Sequence, residues 1–104
     1  MKIELEEMIW FAQSVAMNTW GPRQPSKLLD KLIEEVDELR GALLQFNMVS
    51  NGANNKLELL KEFGDTLFCL IRFADQLDID LGEALSLTIV KVQERIKFDL
   101  IEEE

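Results

Sequence analysis

Histidine is absent from this chain of 104 residues. That rules out a Ser-His-Asp or Cys-His catalytic unit and a histidine-ligated zinc site. Cysteine is almost absent. The single thiol, Cys69, cannot close an intrachain disulfide, and it sits in an apolar helical stretch with no basic neighbour in sequence but Arg72, so it reads as an unreactive, reduced thiol. Long apolar runs are missing too: none approaches the roughly 20 residues needed to span a bilayer. The opening MKIELEEM is acidic within its first seven residues and does not resemble a signal peptide. The expectation is a cytoplasmic protein with no membrane partner. Positive charge is scarce, with 11 basic residues against 20 acidic and a formal net charge of −9. Such a surface repels a nucleic-acid polymer, and it binds phosphates only if divalent cations sit between the two negative partners.

What the chain does have is apolar residues, 47%, and charged residues, 30%, enough for one domain over residues 1–104. A domain this short buries a limited share of its surface, so self-association is expected. The apolar spacing predicts four helices in an all-α, largely antiparallel bundle. The first runs from about Ile3 to Asn18 and stops at Trp20-Gly21-Pro22. The second opens at Pro25-Ser26, with serine able to cap, and ends near Asn47. Residues 49–55 read as a turn, and Asn55 with Glu58 resembles a capping box for a third helix ending around Leu77. Gly64 lies mid-helix at a cost of roughly 1 kcal/mol, which predicts a close approach there. Asp80 with Glu83 caps the fourth helix, whose Leu81, Leu85, Ile89, Val92 and Ile96 form an expected buried stripe. The acidic end, residues 102–104, is expected to fray.

Carboxylates are the one abundant ligand type. Glu35 and Glu38 share a helix face, and at about 100° per residue Glu35 falls within about 40° of Leu28, Leu39 and Phe46. That puts a carboxylate at a core edge, where it is costly to desolvate and wants a cation. Asp30 and Asp37 fall on the solvated side, and Glu34 is intermediate. Glu62 and Asp65 repeat the three-residue spacing on the third helix, on a strip shared with Glu58, Cys69 and Arg72. Taken singly, such pairs more often decorate an exposed face. Two pairs on neighbouring helices instead suggest a cage of hard oxygen donors, the set that magnesium or manganese prefers. On the fourth helix Lys91 and Arg95 share a strip that suits phosphate oxygens, although ion pairing with Glu94 accounts for it equally well.

Three segments carry a family resemblance: KLIEEVDEL at Lys31 to Leu39, LLKEFGDTLFCLIRFA at Leu59 to Ala74, and ALSLTIVKVQERIKF at Ala84 to Phe98. They resemble the EExxE, ExxD and closing KxxxR segments of the all-α MazG-type nucleoside triphosphate pyrophosphohydrolases, relatives of dimeric dUTPases and of phosphoribosyl-ATP pyrophosphohydrolase. The 23 residues between Glu38 and Glu62, with Gly64 inside the second motif, make the pattern fairly specific. The resemblance implies metal binding by Glu35, Glu38, Glu62 and Asp65, with Glu34 as a helper, and phosphate contact by Lys91 and Arg95. It implies Mg2+, or Mn2+, and a nucleoside triphosphate split into the monophosphate and pyrophosphate in nucleotide-pool house-cleaning. It also implies a homodimer or homotetramer.

Relatives specific for dCTP carry a tryptophan before a His-Pro-Arg stretch. Trp20-Gly21-Pro22-Arg23-Gln24-Pro25 is similar but lacks the histidine, which leaves the base open. Trp10, Phe11, Gln13 and Trp20 are candidates to contact it, although aromatics at helical spacing more often pack in a core. The competing reading is a non-catalytic acidic helical interaction protein, or a degenerate family member that binds nucleotides. Against degeneracy, all four carboxylates are present.

Overall fold

The computed structural model describes the backbone of residues 4–48 and 52–103 and the side chains of residues 4–47 and 55–97. Four helices follow one another: α1 (Leu5–Trp20), α2 (Pro25–Met48), α3 (Gly52–Gln76) and α4 (Leu81–Glu103), with no strand among the described residues. α1 carries Glu6 and Glu7 in its first turn, where carboxylates favour the helix dipole. It ends at Gly21, whose φ of 71° suits a residue without a Cβ and whose N–H closes onto the Met17 carbonyl at 2.9 Å. α2 starts with Pro25. Gln24 precedes it and its carbonyl accepts from the Lys27 and Leu28 amides, so Ser26 lies inside the first turn and does not cap it.

α3 begins earlier than expected. Gly52 opens it and Asn55 lies within it, with the Asn55 Nδ2 donating to the Gln45 carbonyl at 3.5 Å. From Gly52 on, helix therefore replaces the anticipated turn, and the rest of that turn, 49–51, lies outside the described residues. At the far end of α3 the Ile79 amide reaches the Ala74 carbonyl at 2.9 Å across Asp78, which has φ 55°. This is a Schellman-type stop, and Asp tolerates the left-handed conformation better than most residues. The Asp80 Oδ1 accepts from the Glu83 amide at 3.1 Å, as the capping pattern predicts. α4 stays helical to Glu103, so the acidic end does not fray before Glu104, which lies outside the described residues.

Three cross-links show how α2 and α3 run. Asn55 meets Gln45, Thr66 meets Glu35, and the Arg23 amide donates to Gln76 Oε1 at 3.1 Å. One number rises as the other falls, so the two helices form an antiparallel hairpin. α1 packs on α3, burying Ala16 and setting Trp20 edge-on to Phe68 at 6.2 Å.

The core of a single chain is small: among the described residues, Ala16, Leu28, Ile71 and Ala74 are the buried apolar ones. α4 packs on no other helix to a comparable extent. Its expected buried stripe is instead exposed, with Leu85 61%, Ile89 48% and Ile96 53% accessible. With α4 not packed across the hairpin, the bundle is open on one side. Gly64 differs from expectation as well: a Cβ added there would meet nothing within 4 Å. The radius of gyration is 17.4 Å, against about 13 Å for a compact chain of this length.

Candidate functional site

The antiparallel register of α2 and α3 decides which carboxylates meet. Leu28, 3% exposed, lies seven residues before Glu35 on the same stripe, and this stripe carries Glu35 into the helix interface at 7% exposure. From α3 the Thr66 hydroxyl sits 2.8 Å from the Glu62 carbonyl and 3.4 Å from the Glu35 carbonyl, a donor shared across the seam. Glu35, Glu62 and Asp65 each offer a carboxylate oxygen there, all within 4.8 Å of one another. Glu62 is half-buried and Asp65 exposed.

The trio is under-compensated. Glu35 Oε1 pairs with Lys31 Nζ at 3.2 Å, but the buried Oε2 atoms of Glu35 and Glu62 have no hydrogen-bond partner. Buried carboxylate oxygens without a donor are costly. A hard divalent cation, which takes carboxylate oxygens as ligands, would satisfy both. The residues present therefore fit a metal ion. Glu35 holds the Lys31 ammonium above its usual range by their hydrogen bond first and their charges second.

The other sequence candidates divide. Glu38 is exposed and stands outside the trio, yet close enough that the charge of Glu35 first, and that of Glu62 more weakly, pushes its carboxyl above the usual range. Glu34 is exposed, stands outside the trio and pairs with Lys31 at 3.6 Å. Lys91 and Arg95 lie on the exposed α4 and are not gathered to the carboxylates within one chain. Trp10 and Gln13 face a different cleft, of 680 Å³, between α1 and the α3–α4 connection. Trp20 alone of the aromatic candidates stands beside the carboxylates.

It stands there as the wall of a 290 Å³ cavity that opens directly off Glu35 and Asp65. Phe68 and Leu28 supply the rest of its apolar lining, and Arg23, Lys31 and Arg72 its cations. Arg72 lies over the Trp20 ring, 5.1 Å from its centroid. Cys69 also lines the cavity, and burial first, then the charges of Glu35 and Asp65, push its thiol above the usual range. On the other side of the trio a 480 Å³ groove runs past Glu38, Glu58 and Glu62.

Sequence reasoning overlooked Lys31, Thr66 and Phe68. Lys31 was legible as the residue one turn before Glu35. Thr66 and Phe68 carry no local signal, because their roles depend on what α3 faces.

A model of the MazG nucleotide pyrophosphohydrolase domain matches residues 23–98. Comparison with curated proteins and with solved structures gave no match. The matched stretch starts after α1, covers α2 and α3 entirely, and so includes every carboxylate of the trio while leaving Trp20 outside. The family is generally metal-dependent, in keeping with the oxygen donor set at Glu35, Glu62 and Asp65. With most of its length matched, the chain belongs to the MazG nucleotide pyrophosphohydrolase domain family, which implies nucleotide pyrophosphohydrolase activity.

Proposed function

We propose that this chain is a Mg2+-dependent enzyme that hydrolyses a (deoxy)nucleoside triphosphate to the monophosphate and pyrophosphate, serving nucleotide-pool house-cleaning. The observation that carries this reading is the convergence of Glu35, Glu62 and Asp65 within 4.8 Å, with two buried oxygens left unpartnered. Glu35, Glu62 and Asp65 hold the metal, for which Mn2+ can substitute, and Glu34 supports the cluster only through Lys31. Bound there, the metal would lower the pKa of a water and neutralise charge developing on the phosphoryl oxygens.

The chain's own residues orient the reaction. Glu38, at the rim of the trio, either completes the ligand set or takes the proton of the attacking water. The water oxygen bonds to the α-phosphorus, the bond from that phosphorus to the bridging oxygen breaks, and pyrophosphate leaves. No histidine is needed for any step. The cavity beside Trp20 takes the base. Trp10 and Gln13 lie outside that cavity, so any base contact by them comes from another subunit. The single reduced thiol suits the cytoplasm.

The working unit is a homodimer or homotetramer. The chain exposes 8591 Å², whereas a folded monomer of its mass exposes about 6,000 Å². The excess is of the size a stable interface removes. A second copy covering α4 would bring Lys91 and Arg95 towards a neighbour's phosphates. Light scattering should report a dimer or tetramer at micromolar concentration, and a monomer would overturn this part.

The decisive experiment incubates the protein with a panel of nucleotides and Mg2+ and assays pyrophosphate against orthophosphate. Pyrophosphate with the monophosphate is expected. Orthophosphate alone would mean different chemistry, and no turnover with any nucleotide would favour a binding protein.

A further inference from the structure

Arg72, like Arg23, is a cation of the cavity with no use in the metal chemistry. In a chain with 20 acidic residues it forms no salt bridge among the described residues, and its Nη2 is buried without a hydrogen-bond partner. A guanidinium left unpaired inside a pocket is a donor waiting for an acceptor. Its orientation is held: the charge lies over the Trp20 ring, and Phe68 braces that ring from its edge at an interplanar angle of 75°.

Its place along α3 says what kind of acceptor. Arg72 is seven residues beyond Asp65, two helical turns or about 10.5 Å along the axis and on nearly the same face. If the α-phosphate sits at the trio, that distance suits a ribose with its base better than a second phosphate. The walls agree, since Trp20, Phe68 and Leu28 are apolar and the cavity of 290 Å³ is at the small end for ligand sites. A flat heterocycle fits the side of the cavity that these three residues form.

We propose that Arg72 selects the base: its unpaired guanidinium donates to an exocyclic carbonyl, so the site prefers carbonyl-bearing bases (uracil, thymine, cytosine or guanine) over adenine, which has no carbonyl. This rests on the nucleotide pyrophosphohydrolase reading for its substrate, but the pocket can be tested separately. Trp20 is the specificity wall, and Arg72 is the donor that gives discrimination. A buried donor left unmatched by the wrong ligand penalises that ligand, which is how hydrogen-bonding sites discriminate.

The experiment compares wild type, Arg72→Met and Arg72→Lys. With Mg2+, kcat/KM is measured for dUTP, dTTP, dCTP, dGTP and dATP. Without metal, binding of the corresponding monophosphates is followed by tryptophan fluorescence, with Trp10→Phe as background so that Trp20 alone reports. Wild type should favour at least one carbonyl-bearing base over adenine by about 10- to 100-fold, the scale of one charged hydrogen bond. Arg72→Met should reduce that ratio to below about 3-fold, chiefly by losing the preferred substrate, and Arg72→Lys should recover part of it. Equal loss across all five nucleotides, or a wild-type preference for adenine, overturns the proposal. If no nucleotide turns over, the catalytic reading fails alone, and the fluorescence ratios then decide: a carbonyl preference lost in Arg72→Met supports the pocket assignment, and its absence overturns it. Circular dichroism and thermal melts on each variant separate a folding defect from a recognition defect.

Discussion

Replacing Glu35 with glutamine should reverse its effect on stability according to whether Mg2+ is present. Without metal, the Glu35 charge is held within 4.8 Å of carboxylate oxygens on both Glu62 and Asp65. Each repulsion at that distance is between about 1 kcal/mol at water's dielectric and about 3.5 kcal/mol at an effective value of 20. Removing the charge also gives up the Lys31 pairing at 3.2 Å, but that lysine is half exposed and the pair is screened by solvent. The new amide can donate to the unpartnered Glu62 Oε2. The net expectation is a metal-free gain of about 1 kcal/mol, or roughly 4–8 °C in Tm for a domain of this size. With Mg2+ the order should invert. Wild type gains about 1.4 kcal/mol for each tenfold excess of metal over its Kd, while the variant, one ligand short, gains less. Thermal melts in chelator and across a Mg2+ titration read both halves. A variant less stable than wild type in chelator would refute the repulsion argument, and equal Mg2+ stabilisation of the two proteins would refute Glu35 as a ligand.

Four further outcomes are expected. Glu38→Gln should lose turnover yet keep Mg2+-dependent stabilisation if Glu38 is the proton acceptor, and lose both if it is a ligand; wild-type turnover would remove it from the site. Cys69 should react with an alkylating reagent with a midpoint above that of an ordinary exposed thiol, because burial and the Glu35 and Asp65 charges disfavour its thiolate. Saturating Mg2+ should lower that midpoint by cancelling the carboxylate part while burial remains, and a midpoint unmoved by metal would contradict the placement of the ion. Gly64→Ala should raise stability by up to about 1 kcal/mol, since its Cβ meets nothing within 4 Å; a loss measured at oligomer-forming concentration would mean a second copy presses there. Ile89→Glu with Val92→Glu on the exposed face of α4 should give a helical monomer by light scattering, and an unchanged mass would exclude that face from the interface.

Some of these residues are legible from spacing within one helix and others are not, for reasons of range. Glu35 beside the core follows from its spacing to Leu28 and Leu39, a relation contained in one helix. Glu62 with Asp65 is readable as a pair, but not that Asp65 stays exposed while Glu62 half buries. Gly21 and Asp80 announce their roles as helix stop and cap through local backbone chemistry. Gly64 misleads, because a glycine inside a helix looks the same in sequence whether a neighbour crowds it or none does.

The sequence by itself determined four helices, their amphipathic faces and the two acidic pairs, because helical periodicity and capping act over a few residues. Only the tertiary structure decided which of those groups meet. The rotation and register of α3 against α2 joined Glu35 to Glu62 and Asp65, left Glu38 at the rim and Glu34 outside, and turned Arg72 and Trp20 toward one cavity while Trp10 faced another. It also left α4 less packed than the other helices among the described residues. Those outcomes depend on contacts between residues tens of positions apart, and no local pattern encodes the angle at which two helices pack.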